Sequence, residues 1–222
     1  MFAQHALHEA GSNPAAFVMF LDGPAGKLDV RVHGEGPGVL LLHPHPFHGG
    51  SMGTRFVHQL ANALADAGYQ AIRFNFRGVG RSEGSYDRGW GELEDALAVW
   101  DHLQPRFVVG FSFGGAIAME LATQRDPAGL VCISTPAKVR DSDLEPWRQA
   151  AEVTCPTAFV HGTDDDVVPR EQMDALAAGL QPPPTWFHVE GGDHFLTPTH
   201  LDAAVAATLA AMKAVNADAP VA

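Results

Sequence analysis

The turn that decides the fold reads Gly110-Phe111-Ser112-Phe113-Gly114, and it joins an apolar run ending at Val109 to an apolar segment over residues 115–123. The run is typical of a buried strand and the segment of a buried helix. Glycines on either side of Ser112 allow a tight turn between the two. Such a turn lifts a serine hydroxyl to where a base can reach it and a carbonyl carbon can approach. We therefore interpret Ser112 as a nucleophile.

Strands and helices alternate on both sides of this turn. Apolar runs typical of buried strands occur at residues 38–42, 71–76, 106–109, 130–133, 157–160 and 185–189. Apolar residues at helical spacing separate most of these runs. The alternation implies right-handed crossovers and a mostly parallel sheet with helices on both faces. An apolar run at 16–21 and the alternation of Leu28, Val30 and Val32 predict an antiparallel hairpin ahead of that sheet.

Composition limits the classes of function. The chain has 222 residues, 46% of them hydrophobic and 18% charged, which is ordinary for a soluble protein with a real core. It contains no internal repeat and no composition shift. We therefore predict one domain over residues 1–222, with about 15 N-terminal and about 6 C-terminal residues loose. The net charge of −12 disfavours nucleic acids and anionic membranes as partners.

Cysteine usage and the N-terminal sequence indicate the compartment. Cys132 and Cys155 both lie in apolar stretches, so we expect buried, reduced thiols. The apolar run over residues 15–21 has no Lys or Arg before it and is far shorter than a membrane span. We interpret that run as the first strand and expect a cytoplasmic protein.

Candidates for a base and an acid follow Ser112 along the chain. His194, in the loop after the last predicted strand, is the preferred general base, since a serine hydroxyl needs an imidazole within hydrogen-bond reach. An acidic run after the preceding predicted strand offers a carboxylate to orient that imidazole. The spacing to Val168-Pro169 favours Asp165, with Asp164 as the alternative. The order Ser, Asp, His is that of the α/β-hydrolase triad.

Two backbone N–H groups are candidates for stabilising the oxyanion of an acyl-transfer reaction. Phe113 follows the nucleophile and provides the first, near the start of a helix. The loop over residues 43–52 would provide the second, but its two prolines have no N–H. His45 is the preferred donor in this loop, and Phe47 is the reserve choice.

Two further features admit a second interpretation. His43, His45 and His48 suggest a metal site, but no nearby carboxylate or cysteine completes one, and a proline after each of two histidines suits a rigid turn. We therefore expect no metal. The Gly-rich loop over residues 77–82 lacks the phosphate-binding patterns and is interpreted as a structural turn. For Arg77 the preferred role is structural, with hydrogen bonds to neighbouring carbonyls, and the alternative is a contact with a substrate carboxylate.

The length of one connection limits the size of the substrate pocket. Residues 135–153 form a segment of 19 residues, which is too short for a full lid domain. We therefore predict a shallow or open acyl pocket that suits short-chain esters better than long lipids. The candidate pocket residues are Phe47, Phe111, Leu144 and Trp147.

Five stretches, each weak alone, form a specific set. They are Leu41-Leu42-His43-Pro44-His45-Pro46, Gly49-Gly50-Ser51-Met52, Arg73-Phe74-Asn75-Phe76-Arg77-Gly78-Val79-Gly80-Arg81-Ser82-Glu83-Gly84, Gly110-Phe111-Ser112-Phe113-Gly114 and Gly191-Gly192-Asp193-His194-Phe195. In these residues the chain resembles the small lidless bacterial α/β hydrolases related to dienelactone hydrolase. The resemblance extends from about Phe17 to Met212.

This resemblance implies a fold, a site and a chemistry. The fold is an α/β-hydrolase fold with a sheet of eight strands, and the site is a Ser112–His194–Asp165 triad. The chemistry is that of a carboxylesterase acting on small acyl substrates without a cofactor. Dienelactone hydrolases proper use a cysteine nucleophile, so Ser112 favours a general esterase over that particular substrate.

The sequence therefore predicts a serine hydrolase. The preferred activity is a carboxylesterase that acts on small or short-chain esters through an acyl-enzyme intermediate. Thioesterase or peptidase specificity on the same triad, or a ligand-binding protein without turnover, are the alternatives. We expect a small-molecule ester as the partner, and a monomer or homodimer.

Overall fold

The continuous apolar runs of the sequence form the centre of one sheet. A computed structural model describes residues 16–196 and 198–219. The strands are β1 (Phe17–Gly23), β2 (Gly26–His33), β3 (Gly38–Leu42), β4 (Gln70–Phe74), β5 (Phe107–Phe111), β6 (Gly129–Ile133), β7 (Thr157–Gly162) and β8 (Thr185–Val189). The helices are α1 (Arg55–Asp66), α2 (Trp90–Leu103), α3 (Phe113–Gln124), α4 (Pro146–Gln149), α5 (Arg170–Gly179) and α6 (Leu201–Ala217). Short 3-10 turns occur at Pro46–His48 and Ala150–Glu152.

The sheet follows a mostly parallel order. Within the described residues it has eight strands in the order β1-β2-β4-β3-β5-β6-β7-β8. β1 pairs antiparallel with β2, and β2 pairs antiparallel with β4. Every pairing from β4 and β3 onward is parallel. The predicted hairpin and the predicted mostly parallel sheet of eight strands are therefore confirmed.

Alternation along the central strands divides the core into two layers. Leu40 and Leu42 of β3 belong to the layer that contains α2 and α3. Val39 and Leu41 belong to the layer that contains α1 and α6, because successive side chains of a strand point to opposite faces. Helix α3 is buried at every position over residues 113–122, as expected for a helix that is apolar on all sides. Helices thus cover both faces of the sheet, as predicted.

The ends of some elements differ from the predicted ones. The strand predicted at residues 71–76 ends at Phe74, because the Phe76 N–H donates to the ring of His43 instead of to a neighbouring strand. Helix α6 continues to Ala217, so the first of the six C-terminal residues predicted to be loose is helical. Residues 1–15 and 220–222 lie outside the described residues.

The connection between β6 and β7 is short and adds no layer to the molecule. Among its described residues, the only helical elements are α4, of four residues, and the adjoining 3-10 turn of three residues. Helix α4 packs against α3 and α5, at the level of the other helices. As predicted, this connection does not build a separate lid domain.

Arg77 has a structural role in the turn after β4. Its buried guanidinium pairs with the buried carboxylate of Asp95 in α2, with 2.8 Å between Nη2 and Oδ1. The Arg77 backbone N–H also donates to Asp95 Oδ2 at 2.8 Å. The preferred structural role of this turn is therefore confirmed, but the partner of Arg77 is a protein carboxylate and not a carbonyl or a substrate carboxylate. A charge at this depth needs a protein carboxylate to offset its desolvation.

The cysteines and helices agree with the simpler interpretations of the sequence. Cys132 and Cys155 are buried and free of disulfide bonds, as predicted. Burial raises the pKa of the Cys155 thiol to about 11, which keeps that thiol protonated at neutral pH. In the described part of the chain, no helix is both long enough and apolar enough to cross a membrane.

Glu120 is an acid buried beneath α4. Burial, followed by the nearby charge of Glu152, raises the pKa of Glu120 from 4.5 to about 7. The folded protein therefore binds this proton more tightly than the unfolded chain, so stability decreases as pH rises from about 4.5 to about 7. We expect Glu120→Gln to raise the free energy of unfolding by about 1–2 kcal/mol at pH 8 and by much less at pH 5.

Urea unfolding of both proteins at the two pH values tests this expectation. Glu35→Gln, at an exposed carboxylate in a turn, is the matched control and should leave the stability within about 0.5 kcal/mol. An equal effect of Glu120→Gln at pH 5 and pH 8 would contradict the account, because an effect of packing alone does not depend on the protonation of residue 120.

Candidate active site

Ser112 lies at a strained turn between β5 and α3. Its backbone has φ 53° and ψ −114°, in the region that favours glycine. The turn closes because Gly110 and Gly114 have no side chains. A Cβ at Gly110 would overlap the carbonyl oxygen of Gly114, and a Cβ at Gly114 would overlap that of Leu42 in β3. The glycine pattern in the sequence thus has a direct steric cause.

Three side chains from three strand ends form a continuous hydrogen-bonded chain. Ser112 Oγ lies 3.0 Å from His194 Nε2, and His194 Nδ1 lies 2.9 Å from Asp165 Oδ2. Ser112 follows β5, Asp165 follows β7 and His194 follows β8. The carboxyl ends of parallel strands share one edge of the sheet, so this topology brings together residues that are distant in sequence. Of the two candidate acids, Asp165 makes the contact, while Asp164 is exposed.

The surroundings of Asp165 favour its charged form. Burial alone would raise the pKa of this carboxyl. Hydrogen bonds from His194 and from the Val168 N–H, at 2.8 Å, outweigh that effect and lower the pKa. A carboxylate is only an acceptor, so His194 Nδ1 carries the proton and Nε2 is left to accept from the serine hydroxyl. The Val167 N–H adds another hydrogen bond to Asp165, at 3.1 Å.

His161 of β7 lies beside this carboxylate. Its Nδ1 is 3.8 Å from Asp165 Oδ2, which is too far for a hydrogen bond, and has no hydrogen-bond partner among the described residues. Burial lowers the pKa of His161, and this effect exceeds the opposing influence of Asp165. Because His161 is neutral, it does not compete with His194 for an ion pair with the Asp165 carboxylate.

The two candidate oxyanion donors in the loop after β3 differ in their availability. The Phe47 N–H donates to the His45 side chain at Nδ1, 3.2 Å away. The His45 N–H has no protein acceptor among the described residues. Phe113 is the first residue of α3, so its N–H has no acceptor within the helix. This arrangement favours His45 over Phe47 as the partner of Phe113.

The His45 ring connects the loop after β3 to the opposite wall of the site. Tyr86 Oη donates to the carbonyl oxygen of Asp141 at 2.8 Å and lies 3.1 Å from His45 Nε2. Because the tyrosine proton is used on Asp141, His45 Nε2 must carry a proton and donate to Tyr86. The neutral tautomer that results leaves Nδ1 to accept from Phe47. Burial lowers the pKa of His45, which favours this neutral form.

The base of the same loop is fixed to β4 and to the residues that follow it. His43 Nε2 accepts from the Phe76 N–H at 3.1 Å. The Met52 N–H donates to Asn75 Oδ1 at 2.9 Å, and the Met52 carbonyl accepts from Arg73 at 2.5 Å. Because His43 hydrogen-bonds to the backbone, it does not converge with the other two histidines. Across the described residues, no group of three or more His, Cys, Asp or Glu side chains could hold a metal ion.

A cavity of about 520 Å³ opens over Ser112 and His194. Phe111 lines it, as predicted. Other apolar walls come from residues that were not predicted to line the pocket, namely Pro136, Val139, Val167, Val168 and Phe195. Two cations, Lys138 and Arg140, also line the cavity.

Three predicted pocket residues do not line this cavity. Phe47 is 69% exposed and packs on Tyr86, with 4.6 Å between ring centroids, outside the cavity. Leu144 is fully buried in the hydrophobic core, because its connection folds down onto the helices. Trp147 lies on α4 and lines a neighbouring depression instead. The prediction that these side chains form the acyl pocket is therefore wrong.

Comparisons with known proteins agree with this fold. The family model described as "Alpha/beta hydrolase domain" matches residues 38–219. An uncharacterized protein of Rickettsia prowazekii is 32% identical over 194 residues, which cover 80% of this chain and 81% of the relative.

Two solved structures extend the similarity to three dimensions. One, from Xanthomonas campestris, is described as an α/β serine hydrolase without a lid. It is 30% identical, has a TM-score of 0.77 and covers 94% of this chain and 97% of its own. The other, an α/β serine hydrolase homologue from Coxiella burnetii, is 31% identical, has a TM-score of 0.75 and covers 91% of this chain and 99% of its own. The chain therefore has the α/β-hydrolase fold and belongs to the alpha/beta hydrolase domain family.

Proposed function

We propose that the protein is a serine hydrolase that cleaves small or short-chain carboxylic esters through an acyl-enzyme on Ser112. The hydrogen-bonded chain Ser112–His194–Asp165 carries this proposal. The serine hydroxyl lies within reach of an imidazole whose other nitrogen is held by a carboxylate. Similarity to proteins described as serine hydrolases supports the same assignment.

Acylation begins when Ser112 Oγ attacks the ester carbonyl carbon. His194 Nε2 accepts the hydroxyl proton as the new C–O bond forms, and the carbonyl electron pair moves onto oxygen. The N–H groups of Phe113 and His45 donate to this oxyanion. When the intermediate collapses, the bond to the alkoxy group breaks, and His194 returns the proton to the departing alcohol.

Deacylation repeats these steps with water. His194 removes a proton from a water molecule as that molecule attacks the acyl carbon, and the second tetrahedral intermediate forms in the same oxyanion site. Its collapse breaks the bond to Ser112 Oγ, which regains a proton from His194. Asp165 stays ionised throughout and stabilises the imidazolium that forms twice in each cycle.

The cavity supports substrates of modest size. Its volume of about 520 Å³ lies within the usual range for small-molecule sites. Apolar walls at Val139 and Val167 suit a short acyl chain, whereas a long lipid tail would extend into solvent. Short-chain esters are therefore the proposed substrates, with thioesters and peptides as the alternatives on the same triad.

Fluorophosphonate labelling combined with ester turnover tests the proposal. The protein should hydrolyse 4-nitrophenyl acetate and butyrate, and a fluorophosphonate should stop that turnover by forming one adduct. Peptide mapping by mass spectrometry should locate the phosphonyl group on Ser112. A protein that is neither labelled nor active on these esters would refute the assignment, and faster turnover of matched thioesters or amides would refute the ester specificity.

A pair of variants at residue 45 tests the second oxyanion donor. His45 has φ −55°, a value that proline adopts, so His45→Pro removes the N–H without changing the φ angle of residue 45. His45→Ala keeps the N–H and removes only the ring. We expect kcat of the proline variant to be about 10²- to 10³-fold lower than that of the alanine variant, because that is the usual cost of losing one oxyanion donor.

Steady-state kinetics on 4-nitrophenyl butyrate gives this comparison directly. Both variants lose the ring and its hydrogen bonds, so any difference between them reports on the backbone N–H. Equal kcat values for the two variants, with both folded, would exclude His45 as a donor.

A further inference from the structure

We propose that Lys138 and Arg140 bind an anionic group of the substrate, so that the preferred esters carry a carboxylate or a phosphate beyond the scissile bond. This proposal rests on the proposed esterase function. Both residues lie in the connection after β6, and both line the cavity that contains Ser112 and His194. The chain as a whole has a net charge of −12, so two cations on one cavity wall differ in sign from the overall charge of the protein.

Neither cation is neutralised by the protein. Lys138 and Arg140 are exposed, and within the described ranges neither forms an ion pair. Their neighbour Arg88 lines only the adjoining depression and is bound to Asp143, with 2.8 Å between Nη2 and Oδ1. Lys138 and Arg140, which line the reaction cavity, are thus unpaired among the residues that the structure describes. Arg88, which lies nearby but outside that cavity, has a carboxylate partner.

The backbone that carries these two side chains is anchored. Ala137 and Val139 are buried on either side of Lys138. Beyond Arg140, the Asp141 carbonyl accepts from Tyr86 at 2.8 Å, and Ser142 Oγ donates to the Arg88 carbonyl at 2.7 Å. The two cations therefore project from an anchored backbone, so binding of an anion does not require that segment of the chain to become ordered.

Other charges around the cavity do not cancel this pair. Asp166 is the one carboxylate on the cavity wall, apart from Asp165 beneath it, among the described lining residues. Two cations against one exposed carboxylate leave the wall net positive. Four residues, Lys138, Val139, Arg140 and Gln172, line both the cavity and the depression that contains Trp147, so a substrate anion has room beyond the reacting carbonyl.

Matched esters with and without a charge test the proposal. Mono(4-nitrophenyl) succinate and 4-nitrophenyl butyrate differ by a carboxylate at the acyl end, and 4-acetoxybenzoate and phenyl acetate differ by one at the alcohol end. Replacing both cations with glutamine (K138Q/R140Q) should lower kcat/KM about tenfold for one of the two anionic esters, mainly through KM. The neutral esters should stay within about twofold. Added NaCl should reduce the preference in the wild type only.

Lys213→Gln removes an exposed cation from α6, outside both depressions, and is the matched control for net charge. It should leave all four substrates unchanged. The binding proposal fails if the double variant slows charged and neutral esters equally, or affects neither, while the wild type hydrolyses both. Failure of the esterase function is a separate outcome, in which the wild type hydrolyses none of the four and is not labelled by a fluorophosphonate.

Discussion

Replacement of Ser112 by alanine should lower kcat for short-chain esters by about 10⁵- to 10⁶-fold, the loss expected when a catalytic unit loses its nucleophile. Alanine removes the only atom that can form the acyl bond and leaves Cβ in place. The turn should therefore keep its shape, and the cavity should still bind substrate. Product formation with a sensitive chromogenic ester measures the loss in kcat, and a thermal melt shows whether the variant is still folded.

Ser85→Ala is the matched control, because it changes an exposed serine outside the cavity. It should retain full activity and full fluorophosphonate labelling. If Ser112→Ala were folded and still turned over ester at more than a few per cent of the wild-type rate, the acyl-enzyme mechanism on this residue would be wrong.

Asp165→Asn should lower kcat by about 10⁴-fold. The carboxylate holds the proton of His194 on Nδ1 through a hydrogen bond of 2.9 Å. An amide nitrogen at the same place would donate to Nδ1, which moves the imidazole proton to Nε2 and leaves nothing to accept from Ser112. The imidazolium formed during catalysis would also lose its counter-charge.

Asp164→Asn distinguishes this effect from a general loss of negative charge. Asp164 is exposed and adjoins the same turn, so its amide variant should remain within about threefold of wild type. A large loss in Asp164→Asn with near-normal activity in Asp165→Asn would reverse the assignment of the acid.

Local patterns predicted the sheet because its signals are local. The strands at residues 38–42 and 185–189 have the predicted bounds, since Pro37 precedes the first run and Pro184 and Glu190 border the second. The turn at Ser112 could be predicted for a similar reason, because its glycines and the flanking apolar runs are contiguous. Chain order then selected His194 and Asp165 as candidates. Their catalytic roles remain predictions until the variants are measured.

Features that depend on contacts between distant segments could not be predicted in this way. Leu144 and Trp147 are apolar residues in a connection, and sequence alone does not show whether such residues turn toward the cavity or toward the core. The hydrogen bond between His45 and Tyr86 joins residues 41 positions apart. Lys138 had no local pattern to mark it, because its position on the cavity wall follows from the path of the chain after β6.

The backbone conformation of Ser112 has an evolutionary consequence. A residue other than glycine in this region costs about 1–3 kcal/mol of stability, and a serine is retained at that cost where its hydroxyl is needed for hydrolysis. A lineage that no longer needs hydrolysis would gain stability by replacing this serine with glycine. The residue at this position should therefore separate relatives that retain turnover from descendants that only bind a ligand.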